Sequence, residues 1–526
     1  MCYTIYNHIG PNQSEVAMNI QLEKSKKIPL YKQIAEQIQA QITSGEIPGG
    51  FRFPSERQLA EALGVNRTTV LNAYKELKAD GLMASHVGMG TVAVRPDKNG
   101  SVKVIPPKEP MWDYLYSDYL KNHDSFDVNK YLEIANQKDV ISFAAGIASF
   151  ETLPKQAFEG IEREFFSNPN GLLVSPVAGF SSLREVMVSY MQGRSCFCHP
   201  SEIMILAGSQ QGIDLITRAF INPGDIVIIE EPSFFPAIQS FRLAGAKIMA
   251  VPMEQDGMNV EILEQLLSRY RPKLIYTMPT YHNPCGVSMS MAKRIRLLEL
   301  AGQYSVPILE DDPYSELHYE GQVMSPLKSM DKNGYVIYLS TCSKTISPGL
   351  RLGWMCADRK LIGHLSSIRQ LVDLHSTCIS QQIVERFIAS GEMERYLTFI
   401  RKEYRERRDI MIDALNRYAP PGLSWNRPEG GYYLWCRLPG GLSATVLTAK
   451  AAENGIAVLP GVPSYLAKQK GECYIRLNYT YPPKDTIARG IAALCGVIRR
   501  LTAAQRGGEA FADDERFSGS EINPIL

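Results

Sequence analysis

The chain has 526 residues, 45% of them hydrophobic and 21% charged, the balance of a soluble globular protein with two or three domains. Its net charge of +1 excludes a chain that is basic throughout, so any nucleic-acid site must be a local patch. No apolar run reaches the roughly 18 residues of a membrane span, no signal-peptide pattern opens the chain, and the ten scattered cysteines fit a reducing cytoplasm better than a disulfide framework.

Residues 1–27 read as a loose extension: 1–17 show no periodicity, and Met18 begins a stretch resembling an ordinary domain start. Residues 28–95 form a self-consistent unit. Leu30, Ile34, Ile38 and Ile42 recur every four residues, an amphipathic helix that Gly45, Pro48, Gly49 and Gly50 end. Ser55 caps a second, short helix with Leu59, Ala60 and Leu63 inward, and Gly64 permits the turn. Asn66 caps a third helix with the stripe Val70, Ala73, Tyr74 and Leu77, which leaves Arg67, Thr68, Thr69 and Asn72 on or near its exposed start. Leu82 to Val94 alternates around Gly88-Met89-Gly90 and reads as a two-stranded wing. From Asn19 to Arg95 there are ten basic residues against seven acidic ones, enough for phosphate contact. The pattern is that of a winged helix-turn-helix, whose second helix aims its first residues at base edges. A small three-helix bundle with a solvated charged face would show the same periodicity.

Residues 96–139, with Pro106, Pro107 and Pro110, read as a linker, with a short helix near Trp112 to Leu120. Over 140–504, short apolar β-rich runs alternate with helical patterns, which predicts an α/β domain with a mainly parallel sheet. Cys196, Cys198 and His199 stand close together, but their spacing does not suit zinc, and no metal is expected. The strand Ile203–Leu206 runs into Gly208-Ser209-Gln210-Gln211-Gly212, a loop and helix start suited to an anion. Further strands at 226–229, 274–277, 307–309 and 336–339 end near Phe234, Asn283, Asp311 with Tyr314, and Ser343 with Lys344; Arg351 follows seven residues on. An α/β sheet binds its ligand at such carboxyl ends. The Gly-, Ser- and acid-rich segment 505–526 reads as a disordered tail.

The motifs Pro29-Leu30-Tyr31, Phe53-Pro54-Ser55-Glu56-Arg57-Gln58-Leu59-Ala60, Leu63-Gly64-Val65-Asn66-Arg67-Thr68-Thr69-Val70 and Gly88-Met89-Gly90-Thr91 resemble the GntR-type winged helix. That resemblance implies DNA contacts from Arg57, Arg67, Thr68, Thr69 and Gly88. The strand-end set resembles fold-type-I, pyridoxal 5'-phosphate (PLP)-dependent enzymes of the class I/II aminotransferase group, with a smaller C-terminal α+β subdomain. By that resemblance Lys344 forms the Schiff base with PLP, Asp311 pairs with the pyridine nitrogen, and Asn283 and Tyr314 bond the ring's phenolic oxygen. Phe234 stacks on the ring; Ser209, Gln210, Ser343 and Arg351 hold the phosphate; Arg476 clamps a substrate carboxylate. Val174 stands where such enzymes often carry a tyrosine that reaches the neighbouring subunit's phosphate.

Together the two halves resemble the MocR family of regulators. The resemblance implies a cytoplasmic homodimer that binds double-stranded operator DNA and senses an amine, an amino acid or PLP itself. Two other readings remain open: a working aminotransferase with a vestigial DNA-binding appendage, since the residues for a transamination half-reaction are intact, and a DNA-binding protein with an inert scaffold.

Overall fold

The computed structural model describes residues 2–7, 16–23, 28–86, 90–94, 115–121, 139–155 and 174–506, with a few single positions between them. The chain divides into two compact units, residues 1–115 and 116–526.

In the first unit, α1 (Leu30–Ser44) buries Ile34, Ile38 and Ile42, and Gly45 ends it in the left-handed conformation. Ser55 starts α2 (Glu56–Leu63) with a reciprocal cap: its hydroxyl accepts from Gln58 N, and the Gln58 side chain accepts from Ser55 N at 3.0 Å. Gly64, at φ +62°, turns the chain into α3 (Arg67–Ala79), where the Asn66 side chain accepts from Thr68 N at 3.0 Å. The wing is β3 (Met83–His86) paired antiparallel with β4 (Gly90–Ala93). Gly88, at its tip, lies outside the described residues.

The N-terminal segment is where the structure differs from expectation. Residues 1–27 contain a hairpin of β1 (Cys2–Asn7) with β2 (Val16–Gln21), and Met18, Ile20 and Leu22 are buried in the unit's core. The outward backbone groups of this strand meet glutamines of α1. Asn19 N donates to Gln41 Oε1 at 3.1 Å, and Gln41 Nε2 donates to Asn19 O at 2.6 Å. The same double bond joins Gln21 to Gln37, both at 2.8 Å, and Glu23 to Gln33, at 3.0 and 3.1 Å. Four residues of helix rise about 6 Å and two of strand about 6.6 Å. Glutamines spaced by four therefore match strand groups spaced by two, and α1 satisfies that edge as a neighbouring strand would.

The second unit is built on an eight-stranded sheet: β6 (Ile203–Leu206), β13 (Gly353–Cys356), β12 (Val336–Thr341), β11 (Ile308–Asp311), β10 (Leu274–Thr277), β7 (Ile226–Glu231), β8 (Lys247–Glu254) and β9 (Gly257–Met258), in that spatial order. Strands β12, β11, β10, β7 and β8 are parallel. The five strands read from the sequence are all in it; β8, β9 and the antiparallel β13 are additions. Strands β6 and β10–β13 are buried along their whole length, so they read as continuous apolar runs without alternation. A two-stranded parallel pair joins β5 (Ile141–Ser142) to β16 (Ile456–Ala457). The smaller C-terminal part holds an antiparallel sheet of β14 (Ser424–Trp425), β15 (Tyr433–Arg437), β18 (Tyr474–Asn478) and β17 (Leu459–Pro460). Helices of this unit include α4 (Asp118–Lys121), α5 (Ser181–Gln192) and α6 (Ser209–Phe220), the last of which follows β6. The short helix expected near 112–120 is represented by α4. The expected disordered tail lies outside the described residues from 507 onward.

Candidate functional site

The carboxyl ends of β7, β10, β11 and β12 open on a cavity of about 270 Å³. Of the residues singled out in the sequence, Ser209, Phe234, Asn283, Asp311, Tyr314, Lys344 and Arg476 line it.

Asp311 is the last residue of β11 and is 1% exposed. Tyr276, on the neighbouring β10, donates to its Oδ2 at 2.9 Å, while Oδ1 is buried with no hydrogen-bond partner among the described residues. Burial pushes the carboxyl up to about 7; the Tyr276 bond, Lys344 and His282 oppose that shift, and Asp312 adds to it. Lys344 follows β12 and donates to Gly146 O at 2.5 Å. Burial holds its ammonium below the usual lysine range, and the guanidinium charges of Arg476 and Arg351 work in the same direction. An amine in that setting is more readily neutral, the form that attacks an aldehyde.

Arg476 enters from β18. Its Nη1 donates to Asn283 Oδ1 at 3.0 Å and its Nη2 to Ala144 O at 2.9 Å, while Nε has no partner among the described residues. The guanidinium lies 4.1 Å from the centroid of the Tyr433 ring. Asn283 thus uses its carbonyl on Arg476. Tyr314 donates to Tyr433 Oη at 3.1 Å.

Gly208, at φ +98°, sits just before α6, and a Cβ there would come within 3.0 Å of Arg351 Nη2. The start of α6 and a guanidinium therefore converge where an anion is held well. Ser209 faces the cavity; Gln210, Ser343 and Arg351 are outside its lining. Gln210 Nε2 donates to Ser240 Oγ at 3.0 Å, its Oε1 having no partner among the described residues, and Ser343 Oγ accepts from Thr341 at 3.0 Å. Val174 is 79% exposed and is not part of the lining.

In the first unit, Arg57 and Thr68 are exposed and Thr69 is half-buried. Arg67 is exposed at the start of α3, with Nη2 3.2 Å from Glu56 Oε2. Arg52 backs the wing: it forms a bridge with Val92, and a Cβ on Gly90 would lie 3.1 Å from its Nε.

Sequence profiles of two families match the chain: "Aminotransferase class I and II" over residues 138–494, and "Bacterial regulatory proteins, gntR family" over 30–92. Several relatives span nearly the whole chain. The HTH-type transcriptional regulator YdfD of Bacillus subtilis, itself uncharacterized, is 31% identical over 481 residues, 91% of this chain and 98% of its own. The probable rhizopine catabolism regulatory protein MocR of Rhizobium meliloti is 27% identical over 513 residues, 92% of this chain and 99% of its own. The chain belongs to the MocR-type family of transcriptional regulators. Its large unit is also similar to the solved kynurenine aminotransferase of Pyrococcus horikoshii, a structure in complex with PMP: 35% identity, TM-score 0.71, 74% of this chain and 98% of that one.

Pyridoxal phosphate is the cofactor of this MocR-type fold, and the residues present fit it. Asp311 Oδ1, which has no partner among the described residues, would accept from a ring N–H, Lys344 would meet the aldehyde, and the α6 start beside Arg351 would suit the phosphate. Among the described residues of this MocR-type chain, no helix is long and apolar enough to cross a membrane. Several lining residues were not singled out in the sequence: Gly146 and Ala144, which act through backbone carbonyls, and Tyr433, which lies within a run of apolar and aromatic residues that reads as plain core.

Proposed function

We propose that this regulator binds operator DNA as a homodimer in the cytoplasm and that its large domain, residues 140–504, senses an amino acid or another amine through PLP held on Lys344. The DNA-reading domain is 28–95 together with the N-terminal hairpin that completes its core, joined by the linker 96–139. The observation that carries the reading is that Lys344, Asp311 with its unpaired oxygen, and Arg476 line one cavity. When bound, PLP supplies an aldehyde that captures amines and a ring that withdraws electrons. Asp311 holds the proton on the ring nitrogen, and the Tyr276 hydrogen bond fixes its carboxylate. Asn283 and Tyr314 would hold the ring's phenolic oxygen, and Phe234 would support the ring. Ser209, Gln210, Ser343 and Arg351 hold the phosphate, while Arg476 orients the ligand's carboxylate. Arg57, Arg67, Thr68, Thr69 and Gly88 contact DNA.

The test is a titration of purified protein with PLP and then with amino acids, following cofactor absorbance and binding to the DNA upstream of its own gene together. Reduction with borohydride should fix the cofactor to Lys344, and Lys344→Ala should lose the fixed cofactor. An adduct on another lysine, or amino acids that change absorbance without changing DNA binding, would overturn the reading. The second outcome would favour an enzyme with a DNA-binding appendage, because the Lys344, Asp311 and Arg476 set is complete.

A further inference from the structure

The segment Cys196-Phe197-Cys198-His199, whose spacing does not suit zinc, is placed by the turn that follows it. Pro200–Glu202 form a single 3-10 turn. His199 Nδ1 accepts from Ser201 N at 3.2 Å, Glu202 Oε2 accepts from His199 N at 2.7 Å, and Arg184 Nη1, from α5, donates to Pro200 O at 2.9 Å. The turn delivers the chain to the side of β13. Ala357 N donates to Glu202 O at 3.0 Å, and Ile203 stands opposite Cys356 in the register of β6 with β13. The Cys198 thiol is thereby brought into hydrogen-bonding contact with the Cys356 thiol, and both are free.

The two thiols are unequal. Cys356 is 1% exposed, whereas Cys198 is half-buried beside the exposed Phe197. The hydrogen bond from Cys356 holds Cys198 below the usual thiol range, with Lys328 assisting and burial and Glu202 opposing. The same bond, with burial, holds Cys356 well above that range. An accessible, readily ionised thiol against a buried one suits attack on an oxidant at the first sulfur and resolution at the second. The pair stands toward the amino ends of the parallel strands: Cys356 is opposite Tyr338 of β12, while Lys344 lies beyond that strand's carboxyl end. Neither thiol lines the cofactor cavity.

We propose that Cys198 and Cys356 form a hydroperoxide-responsive dithiol, a modification site separate from the amine site. The Cys198 sulfur attacks one peroxide oxygen, the O–O bond breaks, and the other oxygen leaves as water or alcohol. Cys198 is then a sulfenic acid. The Cys356 sulfur attacks it, the S–O bond breaks, a second water leaves and an S–S bond forms. The two sulfurs lose two electrons, which the peroxide gains.

The experiment uses the full-length, PLP-saturated protein, reduced and then freed of reductant, with one equivalent of hydrogen peroxide. Cross-links are mapped by mass spectrometry of unreduced peptides. Two of the ten thiols should be lost, in one intrachain Cys198–Cys356 link that forms before the exposed Cys473 is oxidised and that dithiothreitol reverses. Cys356→Ser should stop at a sulfenic acid on Cys198, trapped by dimedone, and in Cys198→Ser the Cys356 thiol should stay reduced. Cofactor absorbance shows that each variant is folded; if Cys356→Ser does not hold the cofactor, the wild-type map and Cys198→Ser decide. Oxidation first at Cys473, a link from Cys198 to the buried Cys196 or to a second chain, or no dimedone adduct on Cys198 in folded Cys356→Ser would overturn the proposal.

Discussion

Tyr276 donates its hydroxyl to Asp311 Oδ2 at 2.9 Å, so one carboxylate oxygen is fixed and the other is buried without a partner among the described residues. In the cofactor-free protein this has a pH signature. Burial raises the Asp311 carboxyl from 3.8 to about 7. A carboxyl raised on folding favours the native state while protonated; that contribution is full below about pH 4 and is lost as pH rises through 7. Cofactor-free wild type should therefore lose stability relative to Asp311→Asn between pH 4 and 7, by up to about 4 kcal/mol, and run parallel to it above. Glu310, also pushed up to about 7 by burial, titrates in both proteins and cancels in the difference. Urea unfolding of the two at a series of pH values measures it, and a flat difference would rule out the raised carboxyl.

The glutamine ladder of α1 sets a stability expectation for the N-terminal hairpin. Gln41 is 9% exposed and satisfies both backbone groups of Asn19. Gln41→Leu should cost about 1–3 kcal/mol, because it leaves a donor and an acceptor unpaired. Gln37, whose bonds to Gln21 are exposed to solvent, should cost less when replaced by leucine, since water takes over. Chemical denaturation followed by hydrogen exchange at residues 19 and 21 distinguishes the two.

The strand ends that gather Asn283, Asp311 and Lys344 were legible in the sequence because buried parallel strands leave apolar runs that stop at polar residues. The helix caps Ser55 and Asn66 were legible for a local reason: each bonds a backbone N–H within three residues. The hairpin β1–β2 was not read, although Val16, Met18, Ile20 and Leu22 alternate, because its polar partners are 10 to 22 residues away on a helix. Tyr433 was missed for a similar reason. Its place is set by Tyr314, 119 residues earlier, and by Arg476 on the adjacent strand, pairings that no local spacing encodes.

At the start of α3, Arg67 is shared between solvent and Glu56. Exposed pairs of this kind are weak, so DNA can take the guanidinium at little cost. Arg67→Ala should lose about 1–3 kcal/mol of discrimination between operator and unrelated DNA while leaving the melting temperature almost unchanged. Glu56→Gln should act in the opposite direction on overall affinity, by removing a negative charge beside the phosphates, and should do so most at low salt. Fluorescence anisotropy at matched salt reads both. Operator binding by Arg67→Ala as tight as that of wild type would remove this residue from the reading surface.

The two activities must be linked by free energy if the chain is a sensor. A ligand shifts DNA affinity only when it binds the DNA-competent and incompetent states unequally, and the coupling is then reciprocal. In the cofactor-free protein Lys344 donates to Gly146, in the segment whose Ala144 carbonyl supports Arg476, so a lysine displaced from the cofactor by an amine would be free to return to that bond. The displaced lysine and a captured carboxylate would therefore act on the same short stretch, residues 144–146. The amine should change operator affinity by about 5–150-fold, and operator DNA should change the amine's affinity by the same factor. In Lys344→Ala the lysine cannot be displaced, so the response to the amine should shrink relative to that variant's own starting affinity. Anisotropy titrations of operator DNA with and without the amine, on both proteins, give the two factors. Equal responses would mean that the signal bypasses Lys344, and unequal reciprocal factors would mean that the two binding events were not measured on one equilibrium.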